Sequence, residues 1–283
     1  MSANRFSTTL SHYKSLEFIL GALLTGGICF LVVFSDLLFQ SADKIDLSAR
    51  LLEPFTHPDH FFGTDPLGRD VIARVVSGGK VSLQVGFLSV AGAVVFGVIM
   101  GLVSGYYRGF WDVIVMRFAD VQLAMPFILL AITFIAIVGG GLANMIFLLI
   151  ISQWVQYARL VRGSVLSLRD REFIQSAQAI GVSQFNILFR HLLPNLIGPV
   201  IVLMTLNVAN NILLESSLTF LGLGVDPLTP SWGGMLADGR TYIQSAWWVS
   251  VFPGLAILLT VLGLNLLGDW LRDSLDPTGR TSR

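Results

Sequence analysis

Three polar residues recur at every fourth position within a long apolar stretch: Asn207, Asn211 and Glu215. This spacing places the three side chains on one face of an α-helix. A carboxyl group in hydrocarbon is costly unless it meets a water-filled cavity or a partner, so Glu215 is a candidate functional residue. We predict that this polar stripe lines a translocation path for a polar solute. Two alternatives stay open, a hydrogen-bond network between helices and a glutamate wetted at the external interface.

The sequence offers little for bond-making chemistry. The Gly79-Lys80 pair is not followed by Ser or Thr and lacks the preceding glycine of a phosphate-binding loop, so we expect no ATP hydrolysis by this chain. The single cysteine, Cys29, excludes an intrachain disulfide and a thiolate metal cluster. His57 and His60 flank a proline and are typical of an ordinary loop. We therefore expect no catalytic residue, no metal site and no cofactor in this chain.

Composition indicates a protein embedded in lipid. Hydrophobic residues make up 54% of the 283 residues and charged residues 13%, about half the charged share of an average soluble domain. Six apolar runs have roughly the ~20 residues that a bilayer requires. They cover 17–39, 82–105, 118–138, 142–160, 196–221 and 247–268. These runs predict an all-α polytopic membrane protein with six transmembrane helices, and the formal net charge of zero argues against a nucleic-acid partner.

The basic residues predict the orientation of these helices. With six spans both termini lie on one side, and that side holds twelve of the 18 Lys and Arg residues. The other side holds Lys44, Arg50, Arg69, Arg74, Lys80 and Arg240. Cytosolic loops are enriched in Lys and Arg, so both termini are expected in the cytosol. The polar segment 169–195 is then cytosolic as well.

The segment 169–195 reads as two short helices joined by a turn. Asp170 is a candidate N-cap of the first helix, and Gly181 stands where a C-terminal glycine belongs. Phe173, Ala177 and Ile180 fall on one helical face. Isolated helices of about ten residues are marginal in water, so this loop is expected to pack against something else. A partner protein is the natural candidate.

The second half of this loop has signals of its own. Ser183 can cap the second helix, and Pro194 marks its end or a kink into the next membrane span.

The loop resembles the EAA loop of the permease subunits of ATP-binding-cassette (ABC) importers. The family pattern is Glu-Ala-Ala, three residues, Gly, nine residues and Ile-x-Leu-Pro. The matching positions here are Gln175, Ser176, Ala177, Gly181, His191, Leu193 and Pro194. The spacing agrees throughout, whereas Gln175, Ser176 and His191 differ from the pattern. The resemblance implies that these residues, together with Arg171, contact partner ATPase subunits.

Two further stretches resemble one branch of that family, the C-type permease subunit of dipeptide, oligopeptide and nickel importers. They are the run from Gly63 to Asp70 and the external stretch containing 230–234 and 238–242. The resemblance implies a type I ABC importer permease fold with a cytosolic coupling-helix loop. It also implies a bacterial inner-membrane location and a peptide cargo. Nickel complexes, glutathione and opines are the alternative cargoes.

The resemblance further implies the partners. They are a second homologous permease subunit, two ABC ATPase subunits that bind ATP and Mg, and an external solute-binding protein that delivers the cargo. Membrane lipid surrounds the spans. The expected segments are a cytosolic tail at 1–16, the first transmembrane helix at 17–39, an external segment at 40–81, a permease core at 82–270 and a cytosolic tail at 271–283.

Several finer features complete the prediction. Val71, Ile72, Val75 and Val76 alternate with Asp70 and Arg74 at helical spacing, which indicates an amphipathic helix at the membrane surface within the external segment. This helix is expected to lead into the second span. Pro126 is expected to kink the third span. In the fourth span, Gln153 and Gln156 need polar partners, and each is equally suited to structural bonding and to substrate contact.

Glycines at three positions four apart form a small-residue stripe in the second span. They are Gly97, Gly101 and Gly105. Such stripes let membrane helices approach closely. We predict subunit packing through this stripe, with packing inside the chain as an equal alternative.

Two other classes of function also fit parts of the sequence. A stand-alone secondary transporter would use Glu215 as a proton site, and it would show internal inverted repeats. A structural membrane scaffold would leave the polar stripe without any role in transport.

Overall fold

The computed structural model describes residues 16–39, 42, 44–226 and 228–275. Most of the two expected tails, 1–16 and 271–283, lies outside these residues. The α-helices of the described ranges are α1 (Leu16–Val33), α2 (Ser35–Leu38), α3 (Val71–Tyr107), α4 (Gly109–Ala124), α5 (Phe127–Val138), α6 (Leu142–Arg169), α7 (Glu172–Ala179), α8 (Gln184–Phe220), α9 (Trp232–Gly239) and α10 (Trp248–Leu275). Short 3₁₀ turns cover Leu47–Ala49, Pro58–His60 and Arg240–Tyr242. Together with one isolated bridge between Thr64 and Asp70, these elements confirm the all-α fold class within the described ranges.

Five helices are long and apolar enough to cross a membrane: α1, α3, α6, α8 and α10. The pair α4 and α5 passes the same test together and would make a sixth span, but it is bent by 95°. The bend falls where Pro126 serves as the N-cap of α5, because proline lacks the N–H that a continuous helix needs at that point. A kink was expected here, and the structure has a complete break between two helices.

The region of Val71 to Val76 leads into the second span, as expected, but it is not a separate helix at the membrane surface. It forms the first turns of α3, which continues without interruption to Tyr107. Asp70 begins this helix by accepting a hydrogen bond of 2.9 Å from the Ala73 backbone N–H to its Oδ1. Val71 and Val75 are buried because the apolar side of these turns meets the rest of the protein instead of lipid headgroups.

Helix α3 packs along α6, and this pair is the centre of the fold. Helix α8 packs against α3, while α10 packs against both α8 and α1. A large apolar cluster runs through these helices and includes Val90, Val161, Val208 and Leu264. The helices thereby bury one another's inner faces and leave many outer side chains exposed, as expected for spans that face lipid or another subunit.

The glycine stripe of α3 packs inside the chain. A Cβ atom at Gly101 would lie 2.6 Å from the Ala158 carbonyl oxygen and 2.7 Å from Val161 Cβ, both on α6. Gly97 and Gly105 meet α6 in the same way. The stripe therefore serves the α3–α6 contact, which corrects the assignment to subunit packing. Spacing alone shows that a helix approaches closely, and it does not show which helix is the neighbour.

Candidate coupling loop and translocation face

The loop between α6 and α8 folds as a compact unit around Gly181. Gly181 has a φ of 79°, the left-handed conformation that glycine adopts without steric cost. Its N–H donates to the Gln178 carbonyl at 3.0 Å, and the Val182 N–H donates to the Ala177 carbonyl at 3.0 Å. These two bonds form a Schellman motif, which ends α7 and turns the chain. The expected glycine cap is confirmed.

The N-terminal cap of α7 differs from the expectation. Asp170 directly follows α6, and Arg171 is the N-cap of α7 without a side-chain capping bond. Helix α6 extends to Arg169, past the predicted end of the span at 160, so the cap position moves by one residue. The expected Ser183 cap is confirmed because its Oγ accepts a hydrogen bond from the Asn186 N–H at 3.4 Å.

Helix α8 begins in this loop and continues into the membrane span. Its residues Ile187–Leu192 form a π-helical segment just before Pro194. The wider turn fits a proline, whose ring and missing N–H disturb an ordinary α-helix. Asn195 Nδ2 donates 2.6 Å to the His191 carbonyl oxygen. The second half of the loop and the span therefore form one continuous helix of 37 residues.

One side of the loop packs against its own chain. Ile174, Ala177, Ile187 and Leu192 are buried in the cluster that also contains Val165 of α6. Of the three residues expected on one helical face, only Ala177 is buried, whereas Phe173 and Ile180 are exposed. Ile174, three residues before Ala177, lies on the buried side with it.

The other side of the loop is an exposed apolar surface. It consists of Phe173, Ile180, Phe185 and Phe189, all of which are exposed. The rings of Phe185 and Phe189 lie 4.5 Å apart between centroids. A cluster of exposed large apolar side chains is typical of a surface that contacts another protein or a membrane. We call these four residues the outer loop surface.

Polar contacts hold the loop to the ends of the membrane helices. Arg169 Nη1 donates to the Tyr106 carbonyl oxygen at 2.5 Å, and its guanidinium lies 5.5 Å from the centroid of the Tyr106 ring. Arg162 makes two hydrogen bonds to the Asp112 carboxylate, at 2.6 and 2.7 Å. Such a bidentate pair is geometrically specific. The loop is therefore attached to α3 through Arg169, and α4 is attached to α6 through Arg162.

The predicted coupling residues differ in how exposed their side chains are. Those with exposed side chains are Arg171, Gln175, Ser176 and Pro194, while His191 is half-buried. Ala177 is buried against its own chain. The exposed residues are available to a partner, and Ala177 instead contributes to the packing that holds the loop in place.

The polar stripe of α8 lies inside the chain. Glu215 is fully buried, and its carboxyl group accepts hydrogen bonds from Ser82 Oγ at 2.9 Å, Thr219 Oγ1 at 3.0 Å and Ser216 Oγ at 3.3 Å. Three hydroxyl donors supply part of the solvation that the membrane lacks. Ser82 belongs to α3, so the carboxyl group links α8 to α3.

The two asparagines of the stripe extend this network. Asn211 Nδ2 donates 2.6 Å to Ser89 Oγ, and its Oδ1 accepts a hydrogen bond from Gln153 Nε2. Asn207 Nδ2 donates to Tyr157 Oη at 2.9 Å and to Gln156 Oε1 at 3.2 Å. The stripe thus connects α8 with α3 and α6. This geometry corresponds to the hydrogen-bond network that the sequence left open as an alternative.

Sequence reasoning missed a second polar group, which lies at the break between α4 and α5. Gln122 Nε2 donates to the Ile151 carbonyl oxygen at 2.5 Å, and Gln122 Oε1 accepts from Trp154 Nε1 at 2.7 Å. Gln122 precedes Pro126 by one helical turn in an apolar stretch. A polar residue beside a helix breaker is the signal that could have identified it.

The segment before α3 forms a buried ion-pair cap. Asp65 and Arg74 are both buried, and Asp65 Oδ2 accepts hydrogen bonds of 2.7 Å from Arg74 Nη1 and from Arg69 Nε. Trp248 Nε1 donates 3.0 Å to the Thr64 carbonyl oxygen, which connects the cap to the start of α10. The Gly63 to Asp70 run therefore has a structural role in this chain.

The long apolar helices, the broken span and the polar loop with its exposed apolar surface define a multi-pass membrane permease. The model of the family "Binding-protein-dependent transport system inner membrane component" matches residues 93–280, and the chain belongs to this family. It is accordingly a permease subunit of an ABC importer, as the EAA-like spacing predicted.

Named relatives support this assignment. The chain is 45% identical over 260 residues to the dipeptide transport system permease protein DppC of Alkalihalophilus pseudofirmus. The matched region covers 92% of this chain and 85% of that protein. It is 48% identical over 218 residues to the glutathione transport system permease protein GsiD of Escherichia coli, covering 77% of this chain and 72% of that protein. An inward-facing structure of the MetNI methionine ABC transporter matches with a TM-score of 0.57 and 20% identity over 72% of this chain and 97% of that one. This last likeness supports the type I permease fold.

Proposed function

We propose that this chain forms half of the translocation path for peptides in an ABC importer, and that an external solute-binding protein delivers the cargo. We infer the class of cargo from two relatives that are 45% and 48% identical to this chain. One is named for dipeptide transport and the other for glutathione transport. Both cargoes contain amide bonds, a free amine and free carboxylates. A peptide-like zwitterion is the chemistry that they share.

We further propose that the outer loop surface and the exposed coupling residues bind partner ATPase subunits. The ATPases would bind and hydrolyse ATP with Mg, since the sequence of this chain has no phosphate-binding loop. Closure of the two ATPases would move the loop, and the continuous helix α8 would carry that movement into the span. Such rigid-body coupling needs a loop that is firmly attached, and the Arg169–Tyr106 contact together with the buried side chains of Ile174 and Ile187 supplies this attachment.

The polar stripe has a supporting role in this mechanism. Asn207, Asn211 and Glu215 fix α8 to α3 and α6, so that the three helices move as one body when the loop moves. The path itself would then run along the neighbouring exposed face of α6 and α8, between this chain and a second homologous permease subunit. A bacterial inner-membrane location with both termini in the cytosol completes the proposal, and it is supported by the distribution of Lys and Arg.

Reconstitution tests this function directly. The chain would be co-expressed with its neighbouring permease and ATPase genes, purified as a complex and placed in liposomes with the binding protein and a labelled dipeptide. We expect uptake that requires ATP and the binding protein, and that persists when an uncoupler removes the proton gradient. Uptake by this chain alone, or uptake that collapses with the uncoupler while ATP is present, would favour the secondary transporter instead.

A further inference from the structure

A small polar pocket lies at the break between α4 and α5, beside the polar stripe, and its lining includes Gln153 and Gln156, which bond to the stripe. Its volume is about 310 Å³, near the lower limit of typical small-molecule sites. The polar side chains that line it are Gln122, Ser152, Gln153, Gln156 and Asn210. These residues come from α4, α6 and α8, so the pocket forms only where the broken span meets the two helices of the network.

The N-terminus of α5 opens on this pocket through Phe127, which is part of its lining. The first hydrogen bond of the helix runs from the Leu130 N–H to the Pro126 carbonyl. No side chain caps α5, and the N–H groups of Phe127, Ile128 and Leu129 have no acceptor among the described residues. Unsatisfied N–H groups at a helix start attract anions, and in a membrane they are costly when left unpaired.

A second group in the pocket also lacks a partner. Gln153 is 3% exposed, and its Oε1 has no hydrogen-bond partner among the described residues. Its Nε2 donates to Asn211, which fixes the orientation of the amide and leaves Oε1 as a free acceptor. A buried acceptor without a donor is destabilising unless a ligand or water supplies the donor.

Two further polar groups stand at the exposed side of the pocket. Gln156 Oε1 accepts a hydrogen bond from Asn207 Nδ2, so Gln156 Nε2 remains available as a donor. Asn210 is exposed next to it on α8. The pocket therefore combines hydrogen-bond donors, an acceptor without a partner and no charged side chain in its lining.

We propose that this pocket is a subsite for the main chain of a peptide in transit. The C-terminal carboxylate of the peptide would accept from the α5 N–H groups, and a peptide N–H would donate to Gln153 Oε1. Both contacts use groups that every peptide has, so the subsite would accept different side chains. The absence of a charged partner in the lining keeps binding weak, which suits a solute that must leave again. This assignment rests on the proposed peptide function.

The test measures occupancy of the pocket in the assembled transporter. In a Cys29→Ser background with partner subunits free of reactive cysteine, Leu123→Cys places one thiol in the pocket lining. Phe118→Cys on the same helix is exposed and lies outside the pocket, so it is the matched control. The rate of reaction with a charged methanethiosulfonate is measured with and without alanyl-phenylalanine.

We expect the dipeptide to slow labelling of Leu123→Cys about fivefold at a concentration that fills about four fifths of the sites, and to leave Phe118→Cys unchanged. The C-terminal amide of the same dipeptide should protect less. Gln156→Leu should remove protection, and Ser217→Ala, an exposed change on α8 outside the pocket, should retain it.

The outcomes separate this inference from the function on which it rests. If the dipeptide does not change the labelling rate of Leu123→Cys while the wild-type complex imports the dipeptide with ATP, the proposed subsite is wrong and the importer function is retained. If the dipeptide and its amide protect equally, the role of the α5 N-terminus is wrong. If the pocket is protected but no ATP-dependent peptide uptake occurs, the proposed function fails.

Discussion

Ser82 on α3 donates a hydrogen bond of 2.9 Å to the carboxyl group of Glu215 on α8. The two residues are separated by 133 positions in the sequence, and both are fully buried. Their contact joins two spans at a point where lipid offers no alternative partner. The sequence indicates this carboxyl group as a site for solute or protons. In the structure it forms a hydrogen bond that connects two helices.

Replacing Ser82 by Ala should therefore destabilise the α3–α8 contact. We expect the free energy of unfolding to fall by about 0.6 to 2 kcal/mol, the range for hydrogen bonds between membrane helices. The measurement is titration of the purified chain with dodecyl sulfate, followed by tryptophan fluorescence. Ser217→Ala on the exposed side of α8 is the control and should change the value little.

Glu215→Gln separates the structural role of this carboxyl group from a role in transport. An amide keeps the size of the side chain and can still accept from Ser82, so we expect nearly unchanged assembly and ATP-dependent uptake in the reconstituted complex. A large loss of uptake in a normally assembled complex would instead place Glu215 on the translocation path, as the spacing of the polar stripe predicts.

Close packing between α3 and α6 can be tested at the glycine stripe. Gly101→Val would force a side chain against the Ala158 carbonyl and Val161, and overpacking of this kind costs about 1 to 3 kcal/mol. We expect a lower unfolding midpoint in the same dodecyl sulfate titration. Gly163→Ala is the matched control, since a Cβ atom there meets nothing within 4 Å. An equal midpoint for both variants would contradict the packing described for this helix pair.

Most features that local rules govern could be predicted from the sequence, and the exception is the cap of α7, which is Arg171 instead of Asp170. The Gly181 turn and the Ser183 cap depend on residues within a few positions of each other, and both match. Pairings across the chain could not be predicted in this way. The glycine stripe indicates that another helix approaches α3 closely, but it does not identify that helix as α6. Glu215 indicates that its carboxyl group needs hydrogen-bond partners, but it does not identify Ser82 as one of them. Pro126 predicts a disturbance of the helix, but the 95° break depends on how α4 and α5 pack against α6.

The cap before α3 predicts a difference between a buried and an exposed ion pair. Asp65→Asn would remove the carboxylate that accepts the 2.7 Å hydrogen bond of the buried Arg74 guanidinium and would leave it only Asp238, 3.9 Å away. Breaking a buried pair typically costs about 3 to 5 kcal/mol. Asp36→Asn removes the exposed partner of Lys80, 2.6 Å away, where a loss of about 1 kcal/mol or less is expected. Unfolding of the purified chain provides the comparison. Similar losses for the two variants would show that the Asp65 cap does not stabilise the start of α3.

The outer loop surface gives the sharpest test of coupling. Ile180 is 80% exposed and makes little contribution to the packing of its own chain, so Ile180→Asp should leave the permease folded. A charge at a site that becomes buried against a partner costs several kcal/mol. We therefore expect at least a tenfold loss of ATP-dependent uptake, and the ATPases should co-purify in smaller amounts.

Leu228→Asp is the control for this change. Leu228 is 84% exposed in the segment after α8, remote in sequence from the loop, and the same substitution there should leave ATPase recovery and uptake close to wild type. Equal ATPase recovery for Ile180→Asp and the unchanged chain would mean that the ATPases bind elsewhere, because no interface that buries Ile180 could accept an unpaired carboxylate without loss of affinity.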